Sequence, residues 1–476
     1  MVQLVVQSSK YIMIFLFLIY TFLSFAVFRF IGKGKTEKVI YGFQRVLLFL
    51  IHGMGYLVLY VTTENAQIVG FYLMQLILFA AFIFMYHVFY KRASELLMNH
   101  MCMLLSISFI MLTRLDFDKA FRQFMFLLAG FVVIMLIPFI MQMGSRFRNW
   151  TWLYVAIGLL ALLVVLIFGK VSDGAKINIK IGSIAMQPSE FVKVIFIFFI
   201  ASMLYHRNDF KQIMVTGIIS AVFVLILVAS RDLGGALLYF FTFLAMAYVA
   251  SGKWYYFVGG LGATAVACIL GYQVFPHVQN RVIAWLDPLS VFDNQGYQVS
   301  QSLFAIGTGG WFGLGLNQGL PKKIPVVEKD FIFSAISEEM GGFFAICLIL
   351  VCISCFLMIF NISINMKDLF YKLVAVGLGS IYALQVFLTI GGGIKFIPST
   401  GVTLPLVSYG GSSLLSTILI FGIVQALYVM QPVRSSGKGG TGKIENSGTN
   451  KTSKQSTNAK QSTNAKQRSS AKQKTK

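Results

Sequence analysis

The chain has 476 residues, of which 57% are hydrophobic and only 12% are charged, and its formal net charge is +22. The charged share is about half that of an average soluble protein, which excludes an ordinary soluble enzyme. The positive charge does not indicate nucleic-acid binding, because no aromatic residues interleave with the bases of the tail and most other bases lie in short loops.

Apolar runs long enough to cross a bilayer, which takes about 20 residues, recur along the chain. The first begins at Tyr11 and has no small-residue cleavage site, so it predicts a retained helix rather than a signal peptide. The predicted spans lie near residues 11–31, 39–61, 67–90, 97–113, 119–141, 150–169, 190–206, 212–229, 233–250, 254–274, 335–361, 370–392 and 402–430. We therefore predict an all-α integral membrane protein with about 13 transmembrane helices.

Lysine and arginine collect in every second connection between the predicted spans, as cytoplasmic connections do. The bases concerned are Lys33, Lys35, Lys38, Lys91, Arg92, Arg146, Arg148, Arg207, Lys211, Lys253, Lys367 and Lys372. The segment 170–187, with three lysines, is the one discordant connection. The pattern predicts a multi-pass protein of the bacterial cytoplasmic membrane. Its tail would be cytoplasmic, and the connection 275–334 would be a large extracytoplasmic loop.

The C-terminal segment 431–476 is basic and of low complexity. It carries eleven lysines and arginines against the single acid Glu445 and has almost no apolar residues. Such a segment cannot repay the entropy of folding, so we predict a disordered cytoplasmic tail. Adhesion to anionic membrane lipids is compatible with this prediction.

Charged residues in the 275–334 loop are the first candidates for chemistry, because charge near hydrocarbon is costly and is usually functional. Arg281, Lys322 and Lys323 supply cations, and Glu328 and Asp330 supply carboxylates at the membrane boundary. Cations beside a carboxylate, over an apolar groove, suit a lipid-linked phosphate ligand and a general base. The loop is thus the predicted active site.

Three further clusters lie at predicted span ends. Glu190 begins one span with Lys193 one turn later, Asp232 follows Arg231 at another, and 403–413 contains helix-breaking Pro and Gly residues. Each has an equally simple structural explanation as a helix cap, a local ion pair or a packed kink. The histidines have no metal-ligand spacing and no phosphate-binding glycine loop is present, so we predict no nucleotide, haem or structural zinc.

Five short motifs together resemble the shape, elongation, division and sporulation (SEDS) family. They are Gln187-Pro-Ser-Glu-Phe191, Asp232-Leu-Gly-Gly-Ala236, Gly296-Tyr-Gln298, Asp330-Phe-Ile-Phe333 followed by Glu338-Glu339, and Pro405-Leu-Val-Ser-Tyr-Gly-Gly-Ser-Ser413. The resemblance covers residues 95–430, a ten-helix core. Three additional N-terminal helices, in residues 1–94, and the tail lie outside it.

The resemblance implies a peptidoglycan glycosyltransferase that polymerises lipid II at the outer face of the membrane, in elongation, division or sporulation. It implies as partners a class B penicillin-binding protein, lipid II, the lipid-linked glycan strand and membrane lipids. Asp330 takes the position of the family's essential Asp. The chain departs from the family just before it, where Pro325-Val-Val-Glu-Lys329 lacks the usual upstream Glu and His. Arg231 also replaces a commoner neutral residue.

In the mechanism that we expect, Asp330 takes the proton of the acceptor sugar hydroxyl, and cations or a divalent metal ion (Mg²⁺ or Mn²⁺) offset the charge of the leaving pyrophosphate. The predicted substrate-binding residues are Arg281, Lys193, Glu190, Gln298, Lys322, Lys323, Ser408 and Ser412. Two alternatives stay open at this point. One is a lipid II flippase or transporter, and the other is a non-catalytic scaffold for a penicillin-binding protein.

Overall fold

The computed structural model describes residues 2–431 except 143, 145, 173, 174, 182 and 183. The predicted disordered tail therefore lies outside the described residues, apart from Gln431. Within the described residues, thirteen helices are long and apolar enough to cross a membrane. This confirms the predicted all-α membrane fold.

The spanning helices lie close to their predicted positions. They are α1 (Val2–Ala26), α2 (Lys35–Thr63), α3 (Ala66–Phe89), α4 (Glu95–Leu115), α5 (Phe117–Gln142), α6 (Thr151–Phe168), α7 (Pro188–His206), α8 (Phe210–Ala229), α9 (Leu233–Ser251), α10 (Trp254–Val274), α13 (Ile332–Asn365), α14 (Leu369–Gly393) and α15 (Gly411–Val429). Two shorter helices, α11 (Pro276–Leu286) and α12 (Tyr297–Gly309), occupy the 275–334 connection, which is therefore a folded segment. Short 3₁₀ turns lie at Val27–Arg29, Phe147–Asn149 and Pro321–Lys323.

Helix α4 is central in the bundle, with nearly all of its residues buried. It contacts α2, α13 and α5. Several of its buried polar side chains are hydrogen-bonded to other helices. His100 is bonded to Tyr20 of α1 at 2.9 Å and to Ser354 of α13 at 2.9 Å. Asn99 donates to Gln44 of α2 at 3.0 Å. The first helices thus pack directly onto the following ones through buried polar contacts.

The discordant basic connection folds into a three-stranded antiparallel sheet, β1 (Lys170–Ser172), β2 (Ala175–Ile181) and β3 (Ile184–Met186). In the register, Lys170 pairs with Asn178 and Ile179 pairs with Met186. The prediction for this segment was only a loop between two spans. The strict alternation of isoleucine with polar residues over 176–181 is the sequence signal for a strand.

The last predicted span, 402–430, was too long at its start. Residues 401–410 form an irregular segment, and α15 begins only at Gly411. Pro405 supplies no backbone donor, and Leu406 adopts a left-handed φ of 65°. The helix-breaking residues therefore keep the helix from starting before Gly411 instead of bending it.

Helix α13 contains a non-helical residue, Gly341, with φ 86° and ψ 168°. At this point the turn that follows α12 lies against the helix backbone. Gly315 N–H donates to Glu339 C=O at 2.9 Å, and Gly342 N–H donates to Gly310 C=O at 2.8 Å. A Cβ on Gly341 would lie 2.3 Å from the backbone nitrogen of Gly313. We call residues 309–316 together with 338–343 the glycine junction.

We expect Gly341→Ala to destabilise the protein by about 3 kcal/mol, because alanine disfavours the positive φ and its methyl group overlaps the backbone of Gly313. Thermal unfolding of the purified protein in detergent measures the effect. Gly307→Ala on α12 is the control, since a Cβ there has nothing within 4 Å. An unchanged unfolding temperature for Gly341→Ala would contradict this account of the junction.

Candidate functional site

The polar segments singled out in the sequence meet at one end of the helix bundle. Because successive spans alternate in direction, the connections α4–α5, α6–α7, α8–α9, α10–α13 and α14–α15 share one end, which we call the loop end. Contacts between these connections bear this out. Gln187 N–H donates to the Ser412 hydroxyl at 2.9 Å, and Tyr409 N–H donates to Glu328 C=O at 2.7 Å.

Asp330 lies immediately before α13, and its carboxylate shares a small space with the Arg281 guanidinium of α11. A Cβ added to Gly401 would lie 3.6 Å from Arg281 Nη2 and 3.8 Å from Asp330 Oδ2. Burial lowers the pKa of Arg281, while the negative charges of Asp330 and Asp232 act in the opposite direction. The structure thus brings the predicted general base together with a predicted cation.

The backbone just before Asp330 is fixed from two other elements. The Ser408 hydroxyl donates to Lys329 C=O and accepts the Leu404 N–H at 2.9 Å. Lys119 of α5 forms an ion pair with Glu328 at 2.6 Å. Ser408, a predicted substrate-binding residue, is buried in this role and holds the Asp330 segment in place.

Beside Gly401 a cleft encloses about 420 Å³ of empty space, counting the space open to the surroundings. Its charged centre is the ion pair between Lys193 and Glu190 of α7, at 2.6 Å. Lys193 is 1% exposed and also donates to Gln385 of α14 at 3.0 Å, while Glu190 accepts from Ser416 at 2.8 Å. The bland interpretation of Glu190 as a helix cap is not what the structure shows. It belongs to a buried polar network.

Asp232 lies at the rim of the same cleft and caps α9. Its carboxylate accepts from Gly235 N–H at 2.8 Å and from the Ser189 hydroxyl at 3.4 Å. Burial raises the pKa of Asp232, and the nearby charge of Glu190 adds to this shift. The capping interpretation is therefore confirmed, and the same carboxylate also faces the cleft.

The remaining predicted binding residues lie in different surroundings. Gln298 donates to Pro325 C=O at 2.8 Å, so it holds the backbone that precedes Glu328. Ser412 accepts from the backbone of Gln187. Lys322 and Lys323 are exposed on a 3₁₀ turn. Their roles in substrate binding stay predictions.

One ion pair at the loop end was not predicted from the sequence. Arg114 of α4 forms an ion pair with Glu339 of α13 at 3.0 Å and donates to Gly319 C=O at 3.1 Å. Glu339 is fully buried, and Glu338 accepts from Leu320 N–H at 2.8 Å. The two carboxylates of the family motif thus fasten the chain beyond the glycine junction. Arg114 at the end of an apolar run was the available signal.

The donor set does not fit a metal centre made by the protein alone. Among the described residues, no group of three or more His, Cys, Asp or Glu side chains is close enough to hold a metal ion. The Arg281 guanidinium lies near the Asp330 carboxylate, and its positive charge repels a cation.

We expect Lys119→Met and Glu328→Gln each to raise amide exchange in the segment 324–331 about two- to fivefold, because either change breaks the ion pair that holds it. The double variant should exchange no faster than the single ones. Hydrogen–deuterium exchange with mass spectrometry measures the effect. Arg122→Met, an exposed change one turn along α5, is the control. Additive effects in the double variant would show that the two side chains act separately.

The chain matches the family model FTSW_RODA_SPOVE, described as cell cycle protein, over residues 88–431. It is 31% identical over 376 residues to peptidoglycan glycosyltransferase RodA of Mycobacterium tuberculosis H37Rv, covering 71% of this chain and 78% of that protein. It is 36% identical over 325 residues to stage V sporulation protein E of Bacillus subtilis 168, covering 65% and 87%. It is 33% identical over 342 residues to probable peptidoglycan glycosyltransferase FtsW of Aliivibrio salmonicida, covering 68% and 84%.

Two solved structures have the same fold. A chain from a structure titled for the coordination of polymerization and crosslinking by a peptidoglycan synthase complex superposes with a TM-score of 0.62 at 24% identity. This match covers 71% of the present chain and 97% of that one. Rod shape determining protein RodA of Thermus thermophilus gives 0.53 at 23% identity, covering 71% and 96%. At these identities the likeness concerns the fold.

Proposed function

We propose that this chain, which belongs to the FtsW, RodA and SpoVE family of cell cycle proteins, is a peptidoglycan glycosyltransferase that polymerises lipid II into glycan strands. The single observation that carries the residue assignment is the placement of Asp330 beside Arg281, at the edge of the cleft that holds Glu190 and Lys193. A base and a cation are the two groups that this transfer needs.

In the proposed reaction, the hydroxyl oxygen of the acceptor sugar attacks the anomeric carbon of the donor, and Asp330 accepts the proton of that hydroxyl. The bond between that carbon and the pyrophosphate oxygen breaks, and both electrons leave with the polyprenyl pyrophosphate. The Arg281 guanidinium, beside Asp330, stabilises the negative charge of this leaving group. The proton ends on Asp330 and is passed to solvent before the next cycle.

The buried pair Glu190–Lys193 contributes charge deep in the cleft. Lys193 is held by two acceptors, Glu190 and Gln385, so its ammonium group is fixed before a substrate arrives. We assign it to the phosphate groups of a lipid-linked substrate, because a preorganised cation in a site shielded from water interacts strongly with an anion. Holding both lipid-anchored sugars at one cleft also supplies proximity.

The protein is a multi-pass membrane protein, and we propose that its loop end faces outward from the bacterial cytoplasmic membrane. The supporting observation is that lysine and arginine collect in the connections at the opposite end, as they do in cytoplasmic loops. On the same argument the tail 431–476 is cytoplasmic and the site is extracytoplasmic. We assign residues 95–430 to the family core and residues 1–94 to three additional helices.

A class B penicillin-binding protein is the partner that we propose. The supporting observation is that one fold neighbour comes from a structure of a peptidoglycan synthase complex, described as coordinating polymerization and crosslinking. The chain would then make strands in elongation, division or sporulation. One relative is named a sporulation protein, and the family model is described as cell cycle protein.

The decisive experiment mixes the purified full-length protein with labelled lipid II, with and without a candidate penicillin-binding protein. We expect glycan strands that a muramidase degrades. A parallel assay in vesicles follows movement of labelled lipid II between the leaflets. Translocation without polymer would establish the transporter alternative, and neither activity, with the partner's crosslinking enhanced, would establish the scaffold alternative.

A further inference from the structure

The first helix contacts the glycine junction, although α1 precedes the residues 88–431 that the family model matches. Lys10 Nζ donates to Gly313 C=O at 3.1 Å, and the rings of Tyr11 and Phe312 are 5.5 Å apart. Val6, which is buried, lies so close to Gly315 that a Cβ there would be 2.8 Å from a Val6 methyl carbon. The outer end of α1 therefore packs directly on the turn that follows α12.

Contacts between α1 and the junction continue on the side of α13. Phe17 and Phe344 have ring centroids 4.4 Å apart. Between the two helices lies a small cavity of about 10 Å³, whose lining includes Lys10, Met13 and Glu339. Lys10 is the only charged residue of α1. The ammonium group of a lone lysine at a span end often extends into water, but this one donates to the turn, and Lys10 lines the same small cavity as the buried Glu339.

A continuous helical stretch links the junction to the segment that carries Asp330. It starts at Ile332, two residues after Asp330, and runs for about 14 Å, at 1.5 Å per residue, to the kink at Gly341. The carboxylates of Glu338 and Glu339 also hold the chain just beyond the junction, by accepting hydrogen bonds from Leu320 N–H and Asn317 N–H. A displacement at the junction is therefore transmitted to the segment that carries Asp330.

We propose that α1 is a built-in support for the active site, holding the glycine junction so that Asp330 keeps its reactive position, with Lys10 as a positioning residue. This inference rests on the proposed glycosyltransfer, and it gives a function to an element outside the matched family region. Lys10 touches neither Asp330 nor the cleft, so its removal changes the position of the base and leaves substrate binding intact.

The test compares Lys10→Met with wild type as full-length protein in lipid nanodiscs. We expect kcat for polymerisation of lipid II to fall about five- to tenfold with KM changed less than twofold, since the variant loses a hydrogen bond from a charged donor. Amide exchange in 309–331 should rise in parallel. Lys10→Arg retains a donor of similar reach and should restore both readouts. Lys33→Met, an exposed lysine between α1 and α2, is the matched control and should change neither.

Val6→Ala is the second variant, which removes packing against Gly315 while keeping Lys10. It should raise exchange in the same segment. Faster exchange with an unchanged kcat, or unchanged exchange in both variants, overturns the supporting role of α1. The exchange readout does not depend on the reaction. A wild-type protein that makes no polymer while Lys10→Met still loosens 309–331 would therefore disprove the proposed function and preserve the structural support.

Discussion

Asp330→Asn is expected to lower the rate of lipid II polymerisation by about 10²–10⁴-fold while the protein folds normally. Asparagine has the same shape as aspartate, but its amide cannot accept the proton of the attacking hydroxyl, and a general base contributes a rate factor of this size. It also leaves Arg281 beside a neutral group. The measurement is the initial rate of strand formation from labelled lipid II by the purified protein.

The control for this prediction is Asp293→Asn, which alters an exposed aspartate in the same connection between α10 and α13. It should retain the wild-type rate. Thermal unfolding and the exchange of 324–331 should match wild type in both variants. A normal rate in Asp330→Asn would show that another group accepts the proton. The candidates for the base would then be Asp232 and Glu190, the two carboxylates that line the cleft.

The membrane helices were predictable because hydrophobicity and length determine them directly. The span predicted at 97–113 is confirmed as α4 (Glu95–Leu115), although it contains polar residues. Its Asn99 and His100 are hydrogen-bonded to side chains of α1, α2 and α13. A hydropathy profile counts such polar side chains as unfavourable in a membrane, since it contains no information on their hydrogen-bond partners.

The candidate site was predictable in its position and only partly in its contacts. Alternation of the spans places the motifs at one end, and this follows from counting helices. The ion pair Arg114–Glu339 joins residues 225 apart, and Lys119–Glu328 joins residues 209 apart. No spacing rule links positions so distant, because their proximity depends on how the helices pack. Glu190 and Lys193, by contrast, were recognisable as neighbours from the sequence. They are three residues apart on one helix, and this spacing places two side chains next to each other.

The departure from the family pattern before Asp330 also finds a physical explanation. The chain lacks the usual Glu and His there, and Glu328 stands two residues before Asp330. In the structure Glu328 pairs with Lys119, and its carbonyl accepts from Tyr409 N–H. The altered residues thus fix the backbone of the segment, and Asp330 keeps its place beside Arg281.

Lys193→Met is expected to destabilise the protein by about 3–5 kcal/mol and to abolish polymerisation. Lys193 is almost fully buried, and its removal leaves the Glu190 carboxylate without its cation in the cleft. The double variant Glu190→Gln/Lys193→Met removes both charges and should recover most of the stability, because an uncharged pair of similar volume is tolerated in such positions. Thermal unfolding in detergent and strand formation from lipid II are measured on the same samples.

The double variant separates a structural ion pair from a functional one. If the pair binds substrate, the recovered protein stays inactive, since the cation assigned to the lipid-linked phosphates deep in the cleft is gone and Arg281 alone remains. If the pair only holds α7 in place, activity returns with stability, and the assignment of Lys193 to the substrate is wrong. The ion pair Arg45–Glu95, between α2 and α4 at the other end of the bundle, supplies the matched comparison. Arg45→Met/Glu95→Gln should keep its activity, because that pair is remote from the cleft.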